Sequence, residues 1–97
     1  MPAYVIADVD VTDAETYREY TALVPASLEP FGGRFLVRGP EVERLEGDWE
    51  PHRLVVIEFP SLEQAHAWYS SPRYEEAKAI RLRASRGSLL LVDGYQP

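Results

Sequence analysis

Two carboxylates stand near the ends of predicted strands, where they could take part in proton transfer. Asp8 belongs to the first predicted strand and Glu58 to the third. If these strands are neighbours, about 4.8 Å apart, and the two side chains share a face, one carboxylate raises the pKa of the other, as a general acid or base requires. The alternative is a pair of strand-end acids that are solvated or paired with Arg34 or Arg38.

A histidine is the third candidate for acid or base chemistry. His66 lies in a short predicted helix, and an unperturbed imidazole pKa of about 6.5 suits proton transfer at neutral pH, although exposure to solvent is the alternative. The other histidine, His52, lies where a loop meets a strand. Neither H-x-x-x-H nor H-E-x-x-H spacing occurs and the chain has no cysteine, so we expect no metal and no cofactor.

Several arginines could hold an anionic ligand, because a guanidinium binds a carboxylate through two parallel hydrogen bonds. Arg38 is favoured because it lies within a predicted strand, and Arg81 because it falls close to the apolar stripe of a predicted helix. The alternative for both is a surface position or an ion pair. The candidates for such a clamp are Arg38, Arg53, Arg81, Arg83 and Arg86.

Aromatic side chains recur along the predicted helices. Helical spacing of this kind is typical of core residues, but hydroxyl groups between helix and sheet also line pockets for flat, small molecules. We therefore take Tyr17, Tyr69 and Trp68 as candidate ligand-binding residues. The full set is Tyr17, Tyr20, Trp68, Tyr69 and Tyr74.

The elements that must position these groups follow the order β-α-β-β-α-β. A capping box at Thr12-Asp13-Ala14-Glu15 begins the first helix, and Ser61 and Ser71-Pro72 begin two later helical segments. In the second strand, Phe35 and Val37 are predicted to share one face and Arg38 to lie on the other. Strands are predicted over 3–11, 34–38, 53–59 and 88–92, with Gly87 ending the last helix.

This order predicts a ferredoxin-like α+β fold in one domain over residues 1–97. We expect a four-stranded sheet of antiparallel type with helices on one face, and right-handed crossovers that place strands one and three side by side and parallel at its centre. Strands one, three and four are apolar on both faces, so one apolar face lacks a helical cover. We therefore predict a homodimer that pairs the sheet faces, with a merely semi-apolar, wet face as the alternative.

Charge and composition limit the partners and the compartment. The formal net charge is −6 with a pI of about 4.8, which argues against nucleic acid and anionic membrane surfaces. No stretch approaches the roughly 20 apolar residues of a membrane span, and the first residues do not resemble a signal peptide. The absence of cysteine fits a reducing compartment. We expect a mature, cytoplasmic protein.

Several sequence segments together resemble the DUF1330 family of uncharacterised bacterial proteins. The most specific segments are Arg53–Ser61 (RLVVIEFPS) and Trp68–Tyr74 (WYSSPRY). The Tyr17 and Tyr20 pair and the segment Gly32–Gly39 add to the resemblance. The resemblance covers nearly the whole chain and implies the dimeric α/β-barrel superfamily.

That superfamily includes cofactor-free oxygenases, haem-degrading enzymes, isomerases and ligand-sensing domains, so the resemblance implies no single activity. Its oxygenases and haem degraders commonly use an Asn with Trp and His or Tyr. This chain has no Asn. We therefore do not carry that activity over to Trp68 and His66.

Two functions remain open from the sequence. The first is a cofactor-independent domain that binds, and could transform, a small aromatic or carboxylate-bearing metabolite between the helices and the sheet. In that hypothesis Glu58 accepts a proton or a hydrogen bond, Arg38 and Arg81 hold negative charge, and Tyr17 and Tyr69 form the wall. The second is a non-catalytic dimeric module for binding or for a stress response.

Overall fold

The computed structural model describes residues 1–39 and 41–95, which form a four-stranded sheet and three helices. The predicted order of elements and the ferredoxin-like α+β class are confirmed. Among the described residues, no helix is long and apolar enough to span a bilayer. The elements are β1 (Ala3–Val11), α1 (Ala14–Leu28), a 3-10 turn (Glu29–Phe31), β2 (Arg34–Gly39), β3 (Leu54–Phe59), α2 (Leu62–Tyr69), α3 (Pro72–Ala84) and β4 (Ser85–Asp93).

A polar side chain caps the start of each α-helix. Asp13, Ser61 and Ser71 each accept a hydrogen bond from the backbone N–H three residues later. The caps at Ser61 and Ser71 confirm the predicted starts. At α1 the cap is Asp13 and not Thr12: the Asp13 carboxylate makes the capping hydrogen bond, while the backbone N–H groups of Thr12 and Asp13 both donate to the Ala84 carbonyl at the end of α3. The helix therefore begins one residue later than its capping-box spacing predicts.

The last strand begins earlier than predicted. β4 starts at Ser85, directly after α3, and Gly87 lies within the strand instead of ending the helix. Gly87 has a φ of 156° and faces the backbone of β1, where an added Cβ would collide with the Asp8 carbonyl oxygen. Only glycine permits this close approach of the two strands.

The sheet has the strand order β2-β3-β1-β4, and every neighbouring pair is antiparallel. The expectation that strands one and three run parallel is therefore wrong. The chain reverses direction between β2 and β3, so the central β3 runs against both of its neighbours. The sheet is open and does not close on itself as a barrel.

The side of the sheet under the helices, called here the covered face, carries the core. Val5, Ala7 and Val9 of β1 are exposed by no more than 5%, and Ile57 and Phe59 of β3 lie on the same face. This two-residue period follows from the alternation of side chains along a strand. The odd-numbered residues of β1 and β3 therefore point toward the helices.

An aromatic cluster fills the space between the covered face and the helices. The Trp68 and Tyr74 rings, both fully buried, lie 3.9 Å apart between centroids. The Trp68 indole N–H donates to the Ser27 hydroxyl, and the hydroxyl oxygens of Tyr20 and Tyr74 are 3.0 Å apart. These polar groups are thus paired inside the core, as buried hydroxyl and indole groups require.

The opposite side of the sheet, called here the open face, has no helix over it. Ile6 and Val56 pair across its centre, and next to them Leu90 and Val92 of β4 are 59% and 43% exposed. This second face is therefore apolar, as predicted. Its apolar side chains form a row that faces away from the core.

Candidate functional site

Three arginines from different elements approach one another on the covered side. Arg38 comes from β2, Arg53 immediately precedes β3, and Arg81 lies in the last turn of α3. All three line the same small cavity beneath the helices. None of them takes part in an ion pair within the described residues.

A β-bulge explains how Arg38 reaches this side. Phe35 pairs with Ile57, and after the irregularity Arg38 pairs with Val55, so Phe35 and Arg38 share the covered face. The Arg38 guanidinium lies 4.3 Å from the centroid of the Phe35 ring. The prediction that Phe35 and Val37 share a face is wrong, because the bulge inserts one extra residue between them.

Two spaces that share several lining residues, one small and one wide, adjoin the arginines. We call them the inner cavity, about 30 Å³, and the outer cleft, about 410 Å³. The two share the residues Tyr17, Thr21, Arg38 and Arg53. The other residues lining the outer cleft are Val11, Ala14 and Arg18, and those lining the inner cavity include Val24, Ile57, Trp68, Arg81 and Leu89.

The guanidinium groups at this site are incompletely hydrogen-bonded. The Nε atoms of Arg53 and Arg81 are buried and have no partner among the described residues. Arg53 stacks on the Tyr17 ring at 5.5 Å from its centroid, and Arg38 donates to the Thr21 carbonyl at 3.3 Å. A buried donor that gives up water without a partner costs free energy, so these groups favour a ligand that accepts hydrogen bonds.

Tyr17 lies between the inner cavity and the outer cleft and is 5% exposed. Burial raises the pKa of its hydroxyl, and the positive charges of Arg53, Arg81 and Arg38 oppose that increase only in part. The phenol is therefore protonated at neutral pH and able to donate. No Asp or Glu is among the described residues that line the cavity or the cleft, so the site offers donors and positive charge.

Asp8 lies elsewhere, on the open face. Its carboxylate accepts hydrogen bonds from the His52 backbone N–H at 2.9 Å and from the Trp49 indole N–H at 3.1 Å. The His52 hydrogen bond is the main reason that the pKa of Asp8 is lowered. The His52 ring approaches Asp8 and Asp10 at 3.8 and 3.9 Å. Asp8 thus fastens the long β2–β3 connection to the sheet.

Glu58 also lies on the open face, but it does not meet Asp8. Asp8 pairs with Leu54 and Glu58 with Tyr4, so the two acids are four residues apart along the strands, about 13 Å. Their expected proximity is wrong because β1 and β3 are antiparallel. Glu58 instead accepts a hydrogen bond from Arg34 at 2.7 Å, which is the ion pair that the sequence left open as an alternative.

The two remaining candidates lie at a different cavity. His66 is exposed, Tyr69 is 39% exposed, and both line a groove of about 260 Å³ between α2 and β4. Lys78 lies 4.3 Å from the centroid of the Tyr69 ring. Among the described residues, no group of three or more acidic or histidine side chains could hold a metal ion.

Of the predicted ligand-binding residues, the structure brings Tyr17, Arg38, Trp68 and Arg81 together and leaves Tyr69 apart. Arg53 is among the clamp candidates from the sequence but is not one of the two favoured there, although position 53 has the same parity as the inward-facing Val55 and Ile57 along β3. That parity was a usable signal. Thr21, in the wall of the cleft, follows Tyr17 by four residues on the same helix, which was a second signal.

The fold and this cationic cavity define an open-sheet, ferredoxin-like α+β protein with a candidate anion site. A model of a domain of unknown function, DUF1330, matches residues 2–95, and the chain therefore belongs to the DUF1330 family. No curated protein sequence matches it.

Solved structures with the same fold cover almost the whole chain. A protein of unknown function from Rhodopseudomonas palustris has a TM-score of 0.78 and 22% identity, over 99% of this chain and 84% of that one. A dimeric ferredoxin-like protein of unknown function from Jannaschia sp. CCS1 has a TM-score of 0.76 and 15% identity, over 99% and 100%. SnoaB, a cofactor-independent oxygenase from Streptomyces nogalater, has a TM-score of 0.67 and 13% identity, over 99% and 95%. At these identities the likeness shows the fold.

Proposed function

We propose that this protein binds a small aromatic, carboxylate-bearing metabolite in the space formed by the inner cavity and the outer cleft. Arg38, Arg53 and Arg81 hold the negative charge. Tyr17 donates a hydrogen bond and offers its ring as part of the wall. This proposal keeps the roles expected from the sequence for Arg38, Arg81 and Tyr17, gives a role to Arg53 from the wider set of candidate arginines, and leaves out Tyr69, which lines another groove.

The observation that carries the proposal is that the Nε atoms of Arg53 and Arg81 are buried and have no partner within residues 1–39 and 41–95. In a chain of net charge −6, acidic side chains are plentiful, yet none lines this space among the described residues. A cationic, partly desolvated site in such a chain is well suited to select an anion, because each guanidinium regains a hydrogen bond on binding.

The same geometry favours binding over proton abstraction. Glu58 and Asp8 face the other side of the sheet, and His66 lies at another groove. The described lining of the arginine site holds no group that is a base at neutral pH. Stabilisation of an oxyanion by the arginines is the one catalytic contribution that these residues support, in keeping with a cofactor-independent domain.

We also propose that the protein works as a homodimer that packs two open faces together. The exposed Leu90 and Val92 continue a row with Ile6 and Val56, and a second copy presents the same apolar surface around a two-fold axis. The dimeric ferredoxin-like protein from Jannaschia sp. CCS1 supports this assembly by its similar fold. The arginine site lies on the covered side and remains accessible in such a dimer.

Isothermal titration of the protein with benzoate and with its neutral analogue benzamide tests the binding proposal. We expect benzoate to bind and benzamide to bind at least about tenfold more weakly, because only the carboxylate satisfies the guanidinium groups. The variant Arg81→Met should lose benzoate binding. Its unfolding temperature should change little, because an apolar side chain of similar length replaces a guanidinium whose buried Nε has no partner among the described residues.

The matched control is Arg83→Met, two residues further along α3, where the arginine is exposed and lines neither space. It should bind benzoate as the wild type does. Equal affinity for benzoate and benzamide, or an equal loss of binding in the two variants, contradicts the proposal.

A further inference from the structure

The inner cavity is too small for an aromatic ring. Its volume is about 30 Å³, whereas an apolar cavity that accommodates benzene measures about 150 Å³. The inner cavity therefore has room for a small polar group such as a carboxylate and not for a ring.

Two of the three arginines differ in which space they line. Arg81 lines the inner cavity but not the outer cleft, whereas Arg53 lines both. An anionic group must therefore enter the inner cavity to contact the Arg81 side chain. The outer cleft of about 410 Å³ can hold the rest of a one-ring ligand beside Tyr17.

From these volumes and positions we infer that the ligand binds with its carboxylate inward and its ring outward, and that the site selects flat monocarboxylates without bulk next to the carboxylate. This inference rests on the proposed function. Tyr17, Thr21, Arg38 and Arg53, which border both spaces, form the neck where such bulk collides. Substituents at the far end of the ring point to the open mouth and are tolerated.

Titration with two isomers of one substituted acid tests the orientation. Para-tert-butylbenzoate should bind about as tightly as benzoate, and ortho-tert-butylbenzoate should bind at least about tenfold more weakly, because its substituent adjoins the carboxylate. The opposite orientation, with the ring inward, predicts that the para isomer is the one rejected.

Thr21→Ala provides a second measurement at the neck. Thr21 is half-buried on α1, and its hydroxyl donates to the Arg18 carbonyl within the helix, so alanine widens the neck without removing a guanidinium group from the site. We expect this variant to reduce the preference for the para isomer by about threefold or more, because the ortho isomer gains affinity relative to the para isomer.

The outcomes separate the two proposals. Benzoate binding with equal affinity for both isomers, or with a preference for the ortho isomer, overturns the orientation and leaves the proposed function standing. An unchanged isomer preference in Thr21→Ala overturns the assignment of the neck. No binding of benzoate at all overturns the proposed function and the orientation together.

Discussion

The two faces of the sheet differ in whether their charged side chains are paired within the fold. The covered face gathers Arg38, Arg53 and Arg81 around a cavity with no acidic lining among the described residues. On the open face, Glu58 pairs with Arg34, and Asp8 accepts two hydrogen bonds from the β2–β3 connection. The acids on the open face are thus hydrogen-bonded within the fold, whereas Arg53 and Arg81 each have a buried Nε atom with no partner among the described residues, and they line the candidate site.

The largest effect is expected from a charge on the apolar row of the open face. Leu90→Asp places a carboxylate from each copy in the proposed interface, which should weaken dimerisation by about a hundredfold or more and yield a monomer in light scattering. Leu82→Asp, at a leucine that is 64% exposed on α3, is the control and should remain dimeric. A monomeric wild type, or equal dissociation of both variants, would contradict the proposed dimer.

A moderate effect is expected where the open face fastens the β2–β3 connection. Asp8→Ala removes the acceptor for the His52 and Trp49 N–H groups and should lower the free energy of unfolding by about 1 to 3 kcal/mol, measured in urea. Asp10→Ala removes only a 3.9 Å approach to the His52 ring and should cost far less. Equal losses in the two variants would show that Asp8 is not the anchor.

The same anchor should respond to acid. Because the folded pKa of Asp8 lies below its ordinary value of 3.8, its stabilising contribution is complete above that value and is lost as the pH falls through the folded pKa. Trp49 is 60% exposed and Trp68 is buried, so a change in tryptophan emission below about pH 4 should report release of Trp49. In Asp8→Ala this acid transition should be absent, and its persistence there would assign it to another group.

The smallest effect is expected at Glu58. Its partner Arg34 is 70% exposed, so Glu58→Gln should change the free energy of unfolding by less than about 1 kcal/mol. Benzoate affinity should be unchanged, since Glu58 is on the face away from the arginines. A marked loss of affinity would mean that the two faces are coupled, and it would restore Glu58 as a candidate functional residue.

Patterns of local spacing predicted most of the fold. The alternation in β1, the Ser61 and Ser71 caps and the order of elements needed only neighbouring residues, so they could be inferred without a structure. The bulge in β2 could not be predicted, because it arises from pairing with β3, and this one residue transferred Arg38 to the covered face. The direction of β3 likewise separated Asp8 from Glu58.

By itself, the sequence determined the residue types, the element order and the apolar character of both sheet faces, since these depend on periods of two and 3.6 residues along the chain. Only the tertiary structure decided which charged groups meet. Arg53 and Arg81 lie 28 positions apart in the sequence, and they line one cavity only because the helices pack on the sheet. No pattern of local spacing predicts that they meet. The candidate site was therefore visible only once the helices lay on the sheet.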